Sequence, residues 1–399
     1  MDSSTFEETP HARMPLQSRI APSWLSRVIL YLGFAGTGVG MALPGSVLPA
    51  ILTRLSLRDN EAGFLFFLGW MGTSIGALLV RRSRVGSLSL GSALVAIGAL
   101  GLAFSTRITC FASMAIYGVG LGMAMTALAL LQAARHSEDR GRELNLLNLV
   151  WASGACAGPS LAAHSLRIAS VRSIFACFSL FFAIFCVWVL ATELEAPQPS
   201  FPQAVHRSRW SLAPWPLAIL LVVCLPTGIE SSMGAWIASY VQRTHETIST
   251  TVTAGTCFWI GLLLSRTFSS FLLTLRRLEQ IILYQSLVTV VAGAALLIAT
   301  TATASILPGV FLIGFGLGPV YPLFIATALE YSDNTPIFFI AGLGSALLPW
   351  LTGIVSTSAH SLRIGLAIPL AASVCMLALG VRIAQLPRRP GSSGLPTAL

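Results

Sequence analysis

A single carboxylate lies deep inside a stretch that is long and apolar enough to cross a membrane. Glu230 belongs to an apolar run that begins near Trp215, and no basic residue is close to it in sequence. An ionised carboxylate in hydrocarbon costs on the order of several kcal/mol, so such a residue usually faces a cavity or a partner. We favour a group that couples a proton or a substrate to the function of the protein. The alternative is a protonated Glu that hydrogen-bonds a neighbouring helix.

Three further residues could share a site with Glu230. Arg266 lies in the C-terminal half of the next apolar segment. On straight helices the two charges would be offset by about 10 Å along the helix axes. We therefore slightly favour Arg266 as a tether for phosphates or acids near the adjacent loop, over a pair with Glu230. Trp236 and Tyr240 are spaced i and i+4 on one stripe, which is equally typical of an interfacial aromatic belt and of a stacking face for a sugar ring.

The helix that carries Glu230 is predicted to be broken. On an ideal helix Trp236 lies about 120° around the axis from Glu230, so both reach one cavity only if the helix is interrupted. Pro226 and Gly228 are residue types at which helices kink. We therefore predict a break near these two residues that turns Trp236 toward a central cavity. Tyr321, which lies between two prolines of a later segment, is predicted to occupy a similarly broken stretch.

Two amide side chains form a polar pair at the start of another apolar segment. Asn145 and Asn148 are spaced i and i+3, so they share one helix face. An amide offers two donors and an acceptor, which suits a hydroxyl-rich ligand. Because the pair lies near a segment end, it could equally hold the adjacent loop. Gln132 has the same two interpretations.

The composition is that of a polytopic membrane protein. Hydrophobic residues make up 55% of the 399 residues and charged residues only 10%, whereas soluble domains have about 25% charged residues. The mean hydropathy is +0.79. The net charge of +9 does not indicate a nucleic-acid partner, because the arginines form short clusters between apolar runs, the pattern of membrane topology signals.

No residue pattern indicates a metal, a cofactor or an enzyme. The seven cysteines lie in or beside apolar segments, and none has a metal-ligand spacing such as Cys-x-x-Cys. The six histidines lie in tails, loops or segment ends, so no Ser–His–Asp or His-x-x-x-His arrangement falls on a span. We therefore expect no metal, no cofactor and no enzymatic activity.

Twelve segments have the roughly 20 apolar residues that a membrane-spanning helix needs. They predict spans at 28–52, 62–80, 86–104, 110–132, 144–163, 173–192, 215–240, 251–273, 281–299, 305–328, 337–356 and 364–385. A polar linker, 193–214, divides the spans into six and six. The predicted fold is an all-α integral membrane protein with two six-helix bundles, 28–192 and 215–385, followed by a disordered tail, 386–399.

The arginines predict the orientation in the membrane. With the N-terminal tail, 1–27, placed inside, the inner loops and tails carry 16 arginines and the outer loops carry seven. Cytoplasmic loops are enriched in positive charge, so we expect both termini and the linker in the cytoplasm. The protein is then a multi-pass protein of the cell membrane.

The two groups of six spans are related by an internal repeat. Three motifs recur at offsets of 189 to 196 residues, and each pairs one span with the span six further on. The pairs are Gly118-Val-Gly-Leu-Gly122 with Gly314-Phe-Gly-Leu-Gly318, Trp70-Met-Gly72 with Trp259-Ile-Gly261, and Gly154 and Pro159 with Gly344 and Pro349. Glycines inside spans indicate close helix packing, not the dinucleotide-binding loop of a soluble domain. Parallel six-helix repeats with a site between them are typical of secondary transporters.

Together these features resemble the major facilitator superfamily over most of the region from Arg27 to Arg382. Span seven, from Pro226-Thr-Gly-Ile-Glu230 to Trp236 and Tyr240, is similar to helix seven of the fucose-permease-like branch. Spans five, ten and eleven contain similar stretches: Leu144-Asn145 to Gly158-Pro159, Gly316-Leu-Gly318-Pro-Val-Tyr-Pro322, and Leu348-Pro349-Trp-Leu-Thr-Gly353 with Ser361-Leu-Arg363. The resemblance implies a secondary transporter, expected to be a monomer in the lipid bilayer, that moves a small polar solute such as a sugar by alternating access.

The sequence departs from that branch where its sugar–proton symporters carry acids. Spans one and four contain no Asp or Glu, and the loop from Val80 to Arg84 lacks the Asp that usually precedes its Arg pair. Coupling to protons would therefore rest on Glu230, or the protein is a facilitator. An efflux antiporter for amphipathic or cationic compounds is the alternative within the same class. A non-transporting receptor or sensor is a further alternative, which the lack of an output domain disfavours.

Overall fold

A computed structural model describes residues 24–80, 83–135, 140–192, 217–244, 248–273, 278–299, 302–331 and 336–384. This described part of the chain contains no strand and is built from fourteen helices. They are α1 (Trp24–Ser46), α2 (Leu48–Leu55), α3 (Asp59–Leu78), α4 (Arg84–Phe104), α5 (Thr109–Arg135), α6 (Arg140–Ile168), α7 (Val171–Ala191), α8 (Leu217–Arg243), α9 (Ile248–Leu273), α10 (Glu279–Ala299), α11 (Thr303–Tyr331), α12 (Pro336–Ser358), α13 (Leu362–Gly365) and α14 (Ala367–Ala384). The predicted linker, the predicted C-terminal tail and the first 23 residues lie outside the described residues.

The helices follow the twelve predicted spans. α1 with α2 forms the first span and α13 with α14 the twelfth, while each of the other helices forms one span. Among the described residues, eleven spans are long and apolar enough to cross a membrane. The remaining span, α9, has 26 residues and carries several Ser and Thr residues as well as Arg266. We call α1–α7 the N-terminal half and α8–α14 the C-terminal half.

The glycine motif of the internal repeat makes the same contacts in both halves. In α5, Gly118 lies so close to α3 that a Cβ at this position would be 2.1 Å from the carbonyl oxygen of Gly69. In α11, Gly314 lies equally close to α9, where a Cβ would be 2.1 Å from the carbonyl oxygen of Phe258. Any side chain at these positions would push the helices apart, so the motif fixes the packing within each half.

The other two motifs repeat in the same way. Gly72 of α3 packs on α5 and Gly261 of α9 packs on α11, and in both a Cβ would lie 2.6 Å from a carbonyl oxygen of the partner helix. Gly154 of α6 packs on α1, as Gly344 of α12 packs on α8. Each of these helix pairs in the N-terminal half therefore has its equivalent six spans later. The prediction of two pseudo-repeated six-helix bundles is confirmed.

The halves meet mainly along three helix pairs: α3 with α12, α6 with α9, and α1 with α8. The closest approach is between α1 and α8, where a Cβ on Gly45 would lie 1.9 Å from the carbonyl oxygen of Gly234. Between α6 and α9, the rings of Trp151 and Trp259 meet edge to face with their centroids 5.9 Å apart. These contacts enclose a space between the two halves.

The predicted breaks in two helices are wrong. α8 runs uninterrupted from Leu217 to Arg243 through Pro226. α11 likewise runs through three prolines, so Tyr321 lies in a continuous helix. Membrane helices tolerate proline because neighbouring helices and hydroxyl side chains compensate for the freed backbone groups.

Packing against α12 explains the small and hydroxyl residues in this turn of α8. The Thr227 hydroxyl donates to the carbonyl of Ala341 in α12 at 2.7 Å. A Cβ on Gly228 would lie 2.8 Å from the carbonyl oxygen of Gly344. The sequence feature that suggested a break is therefore a close helix–helix contact.

Candidate functional site

A cavity of about 380 Å³ lies between the two halves. Four helices of each half line it: α1, α3, α5 and α6 on one side, and α8, α9, α11 and α12 on the other. Its volume falls within the range of about 300–1,000 Å³ that is typical of small-molecule sites. Four residues singled out from the sequence line it, namely Glu230, Arg266, Tyr321 and Asn148. We therefore take this cavity as the candidate functional site.

Glu230 and Arg266 form an ion pair in the wall of this cavity. Nη2 of Arg266 donates to Oε2 of Glu230 at 3.1 Å. The Arg266 side chain keeps 28% of its surface exposed and the Glu230 side chain 19%, so a ligand or a proton can still reach the pair. The partner of Glu230 is thus a cation and not a neutral group of a neighbouring helix.

The tether role that the sequence slightly favoured for Arg266 is wrong. The observed helix bounds reduce the axial offset only from about 10 Å to about 8 Å, because Glu230 lies at the middle of α8 but Arg266 lies about five residues past the middle of α9. Glu230 is the middle residue of the 27-residue helix α8. The long Arg266 side chain spans the smaller offset that remains.

The ion pair has polar neighbours on both sides of the cavity. Tyr321 of α11 lines the same cavity as Glu230 and Arg266. Asn148 of α6 lines the cavity from the N-terminal half. Asn145 lies in the same helix, but its side chain is outside the described residues. The charged side chains of the site therefore come from the C-terminal half, whereas both halves contribute uncharged polar groups.

Trp236 and Tyr240 do not line the cavity. Trp236 is completely buried, and its Nε1 donates to the carbonyl of Pro349 at 2.9 Å. Tyr240 is also buried, and its hydroxyl donates to the carbonyl of Leu297 at 3.0 Å. Both interpretations from the sequence, an interfacial belt and a sugar-stacking face, are therefore wrong, because these residues join α8 to α12 and α10. Gln132 is buried outside the cavity lining as well.

Trp236→Phe should lower the thermal stability and leave the solute affinity unchanged. Phe fills most of the same space, but the carbonyl of Pro349 loses its donor, a loss of about 1 kcal/mol. We expect the Tm of the purified protein to fall by a few degrees while the Kd of a bound solute stays the same. Tyr240→Phe, which removes one hydroxyl donor from the same helix, is the matched control. A changed Kd with an unchanged Tm would contradict the structural role.

The two walls of the cavity differ in chemistry. Both charged side chains, Glu230 and Arg266, come from the C-terminal half. The bulky apolar side chains come from the N-terminal half: Phe34, Met41, Phe66, Met114, Leu121 and Met125. This apolar wall was not predicted from the sequence, because apolar residues cover every side of a membrane helix. Their residue types do not distinguish the side that faces a cavity from the side that faces lipid. The repeated Trp70 and Trp259 were an available signal, since both line the cavity.

At one end of the molecule, polar contacts hold the two halves together. Asp59, in the first turn of α3, accepts hydrogen bonds from both terminal nitrogens of Arg243 in α8, at 2.6 and 2.7 Å. It also accepts one from the Ser356 hydroxyl of α12. Next to it, the backbone N–H of Asn60 donates to the Thr357 hydroxyl at 2.8 Å. We call Asp59, Arg243 and Ser356 the outer cluster, because the predicted orientation places this end outside the cell.

The site contains a carboxylate, which can bind a proton, and polar side chains, which can form hydrogen bonds to a ligand. Within the described residues, no group of three or more His, Cys, Asp or Glu side chains could hold a metal ion. The cavity contains one ion pair, several hydrogen-bonding side chains and an apolar wall. Its size and lining are those of a small-molecule site.

Two parallel six-helix repeats around a central cavity define the architecture of a secondary transporter. The family model described as Major Facilitator Superfamily matches residues 30–337. The chain belongs to the major facilitator superfamily and is a multi-pass integral membrane protein. No curated protein matches the sequence.

Solved transporter structures have a similar fold. A mutant of the nucleoside transporter NupG aligns with a TM-score of 0.73 and 13% identity, covering 90% of this chain and 99% of that one. A D-xylose–proton symporter aligns with a TM-score of 0.69 and 14% identity, covering 91% and 98%. The xylose transporter XylE from E. coli, in a partially occluded inward-open conformation, aligns with a TM-score of 0.67 and 15% identity, covering 91% and 99%. At these identities the similarity establishes the fold.

Proposed function

We propose that the protein is a secondary active transporter that moves a small polar solute by alternating access and is coupled to protons through Glu230. The observation that carries the proposal is the Glu230–Arg266 pair in the wall of the cavity between the halves. A carboxylate in that position can exchange its cationic partner for a proton. Its contacts then differ between two states of the cycle, which is what coupling requires.

Glu230 is well placed to be the coupling group because the cavity offers no other carboxylate. Among the described residues that line it, Glu230 is the one acid. The first and fourth spans, which carry acids in sugar–proton symporters of the branch that this sequence resembles, contain none. Of the described residues that line the cavity, Glu230 is therefore the carboxylate that could couple transport to protons.

A sugar is the first solute class to test. Two of the similar solved structures are of xylose transporters, and one of these is named as a proton symporter. The motifs of spans five, seven, ten and eleven resemble the fucose-permease-like branch. Asn148 and Tyr321 add amide and hydroxyl groups of the kind that bind sugar hydroxyls.

Efflux of amphipathic compounds is the second candidate function. It is favoured by the apolar wall of the N-terminal half, which includes Phe34, Phe66 and Met114. Methionine-rich apolar surfaces adapt to ligands of different shape. A solute that is covered with hydroxyl groups has no apolar surface to pack against this wall.

A binding screen followed by a transport assay tests the proposal. D-xylose, D-glucuronate and a cationic amphiphile are first compared by the rise in Tm of the purified protein, since a ligand of the native state stabilises it by mass action. Each ligand that binds is then offered to proteoliposomes with and without a pH gradient. Accumulation that requires the gradient supports the proposal. Gradient-independent equilibration of every ligand would indicate a facilitator, and binding without any transport would indicate a receptor.

We further propose the arrangement of the chain in the membrane. Both termini and the linker, 193–214, lie in the cytoplasm, and 28–192 and 215–385 are the two domains that move in the cell membrane. We also propose a functional monomer, because both walls of the cavity come from the two halves of the same chain. Reporter fusions in the linker and in the 242–250 loop should score inside and outside, respectively. The opposite pattern would overturn this orientation.

A further inference from the structure

We propose that the solute carries an anionic group, which binds Arg266 once a proton has neutralised Glu230, and an apolar body that contacts the N-terminal half. The inference rests on the proposed function and narrows its substrate to amphipathic organic anions, such as carboxylates or sulfonates. Three properties of the cavity lead to this class: its charges, its hydrogen-bond donors and its apolar wall.

The charges favour an anion over a cation. Among the described residues that line the cavity, Glu230 and Arg266 carry the charges, and Tyr117 and Tyr321 are the other titratable groups. A guanidinium keeps its positive charge in every state of the cycle. A cationic solute that replaced Arg266 at Glu230 would therefore lie beside an unpaired positive charge. Protonation of Glu230 has the opposite effect, because it removes the negative charge that neutralised Arg266. An anionic solute can then take the place of that charge.

Most hydroxyl donors of the cavity are already used within the protein. Each Ser and Thr hydroxyl of the lining donates to a helix carbonyl, and these residues are Thr73, Ser74, Thr227, Ser231 and Ser345. The Tyr117 hydroxyl donates to the carbonyl of Gly40 at 2.7 Å. These groups can accept a hydrogen bond from a solute but have no proton to give to one.

Two residues of the described cavity lining, Arg266 and Trp151, have donors that lack a protein acceptor. In the described part of the chain, Arg266 uses one of its N–H groups on Glu230, and its buried Nε has no partner. The buried Nε1 of Trp151 has none either. Tyr321 and Asn148 present a hydroxyl and an amide at the same cavity. A carboxylate or sulfonate supplies several strong acceptor oxygens, which is the complement of this group of donors.

Proton and anion should therefore bind cooperatively. When the Glu230 carboxyl is protonated, Arg266 is free to bind the anion, whereas the ionised carboxylate holds Arg266. The affinity for the anion thus falls as the pH rises, by at most about tenfold per pH unit for one proton. The two tyrosines that face the pair do not change charge in this pH range.

The apolar wall determines the rest of the solute. Phe34, Met41, Phe66, Met114, Leu121 and Met125 lie on the side of the cavity opposite the charged wall. An apolar body attached to the anionic group would be buried against them. Each additional methylene should raise the affinity by about fourfold until the cavity is filled.

Calorimetric titration of the purified full-length chain in nanodiscs tests the inference. The ligands are butanesulfonate, hexanesulfonate, hexyltrimethylammonium and D-xylose, each at pH 5.5 and 7.5. A sulfonate keeps its charge over this range, so any pH dependence comes from the protein. We expect hexanesulfonate to bind more tightly than butanesulfonate, and several-fold more tightly at pH 5.5 than at pH 7.5. We expect no binding of the ammonium compound.

Substitutions in the ion pair separate the roles of the two charges. Glu230→Gln should bind hexanesulfonate equally at both pH values, and at least as tightly as the wild type does at pH 5.5. Arg266→Gln should lose at least tenfold in affinity at both pH values. Arg363→Gln is the matched control, because Arg363 donates to the carbonyl of Ile298 at 2.7 Å, outside the cavity. If Arg266→Gln does not fold, Arg266→Lys should retain pH-dependent binding, and pH-independent binding by that variant would overturn the inference.

The outcomes distinguish this inference from the proposed function. Binding of D-xylose or of the cation without binding of hexanesulfonate, or pH-independent sulfonate binding by the wild type, overturns the inference. The proposed function survives that result if the ligand that does bind is accumulated by proteoliposomes under a pH gradient. If hexanesulfonate binds as expected but is never transported, the inference stands and the proposed function fails.

Discussion

Glu230→Gln should abolish proton-driven accumulation of solute and leave exchange of solute across the membrane intact. Coupling to one proton permits about tenfold accumulation per unit of pH gradient. In the variant the ratio of internal to external solute should fall to about one. The amide of Gln neither gains nor releases a proton. Residue 230 therefore cannot alternate between a charged form that pairs with Arg266 and a neutral, protonated form. Solute exchange does not need that alternation and should continue.

The substitution should preserve the fold at a moderate loss of stability. Gln is close in shape to protonated Glu, and its amide oxygen can still accept a hydrogen bond from Arg266. Removing one partner of a fully buried ion pair costs about 3–5 kcal/mol. Both side chains keep part of their surface exposed to the cavity, so the loss here should be smaller. The Tm of the purified variant measures it directly.

Paired assays in proteoliposomes separate coupling from transport. Counterflow, with equal solute on both sides, reports exchange, and uptake under an imposed pH gradient reports coupling. Glu279→Gln is the matched control, because it removes a carboxyl at the start of α10, away from the cavity. If Glu230→Gln accumulates solute as well as the wild type does, Glu230 is not the coupling group. If the wild type shows no dependence on the gradient, the protein is a facilitator.

The fold could be predicted from the sequence because close contacts between helices require glycine at defined positions. Gly118 and Gly314 occur at equivalent places of the repeat because each lets two backbones approach to a distance that excludes a side chain. Such a requirement depends on residue type alone, so it is visible without coordinates. The same holds for Glu230, whose charge is too unfavourable in a membrane to be incidental.

The partners of Trp236 and Tyr240 could not be predicted in this way. Both residue types suit a membrane interface, a ligand site and a buried hydrogen bond to a backbone carbonyl, and the sequence around them is the same in each case. Which of these applies depends on the rotation of α8 against α10 and α12. The Glu230–Arg266 pair was underrated because two long side chains can meet across an axial offset of about 8 Å between their positions on neighbouring helices.

In the proposed alternating-access cycle, the outer cluster would control whether the cavity opens at this end of the molecule. Asp59 belongs to the N-terminal half, and its partners Arg243 and Ser356 belong to the C-terminal half. Alternating access requires these contacts to break when this end of the molecule opens. The nearby pair of Glu61 and Arg107, at 2.7 Å, lies entirely within the N-terminal half and need not change.

Asp59→Asn should therefore shift the protein toward the state that is open at this end. The substitution keeps the shape of the side chain but removes the charge that Arg243 binds through two hydrogen bonds. Charge-assisted contacts of this kind contribute about 1–2 kcal/mol, which corresponds to a change of about 5–30-fold in the ratio of the two states. Arg243→Gln should have a similar effect, and adding it to Asp59→Asn should change little more, because both variants break the same contact.

Distances between spin labels at this end can measure the shift without reference to membrane orientation. Cysteines that replace the exposed Ile108 of the N-terminal half and Ile364 of the C-terminal half, in a background without the native cysteines, provide the labels. In Asp59→Asn the distance distribution should gain a longer component, whereas Glu61→Gln, which breaks a pair within one half, should leave it as in the wild type. An unchanged distribution in Asp59→Asn would show that the close helix contacts at Gly45 and Gly63, and not the outer cluster, keep this end closed.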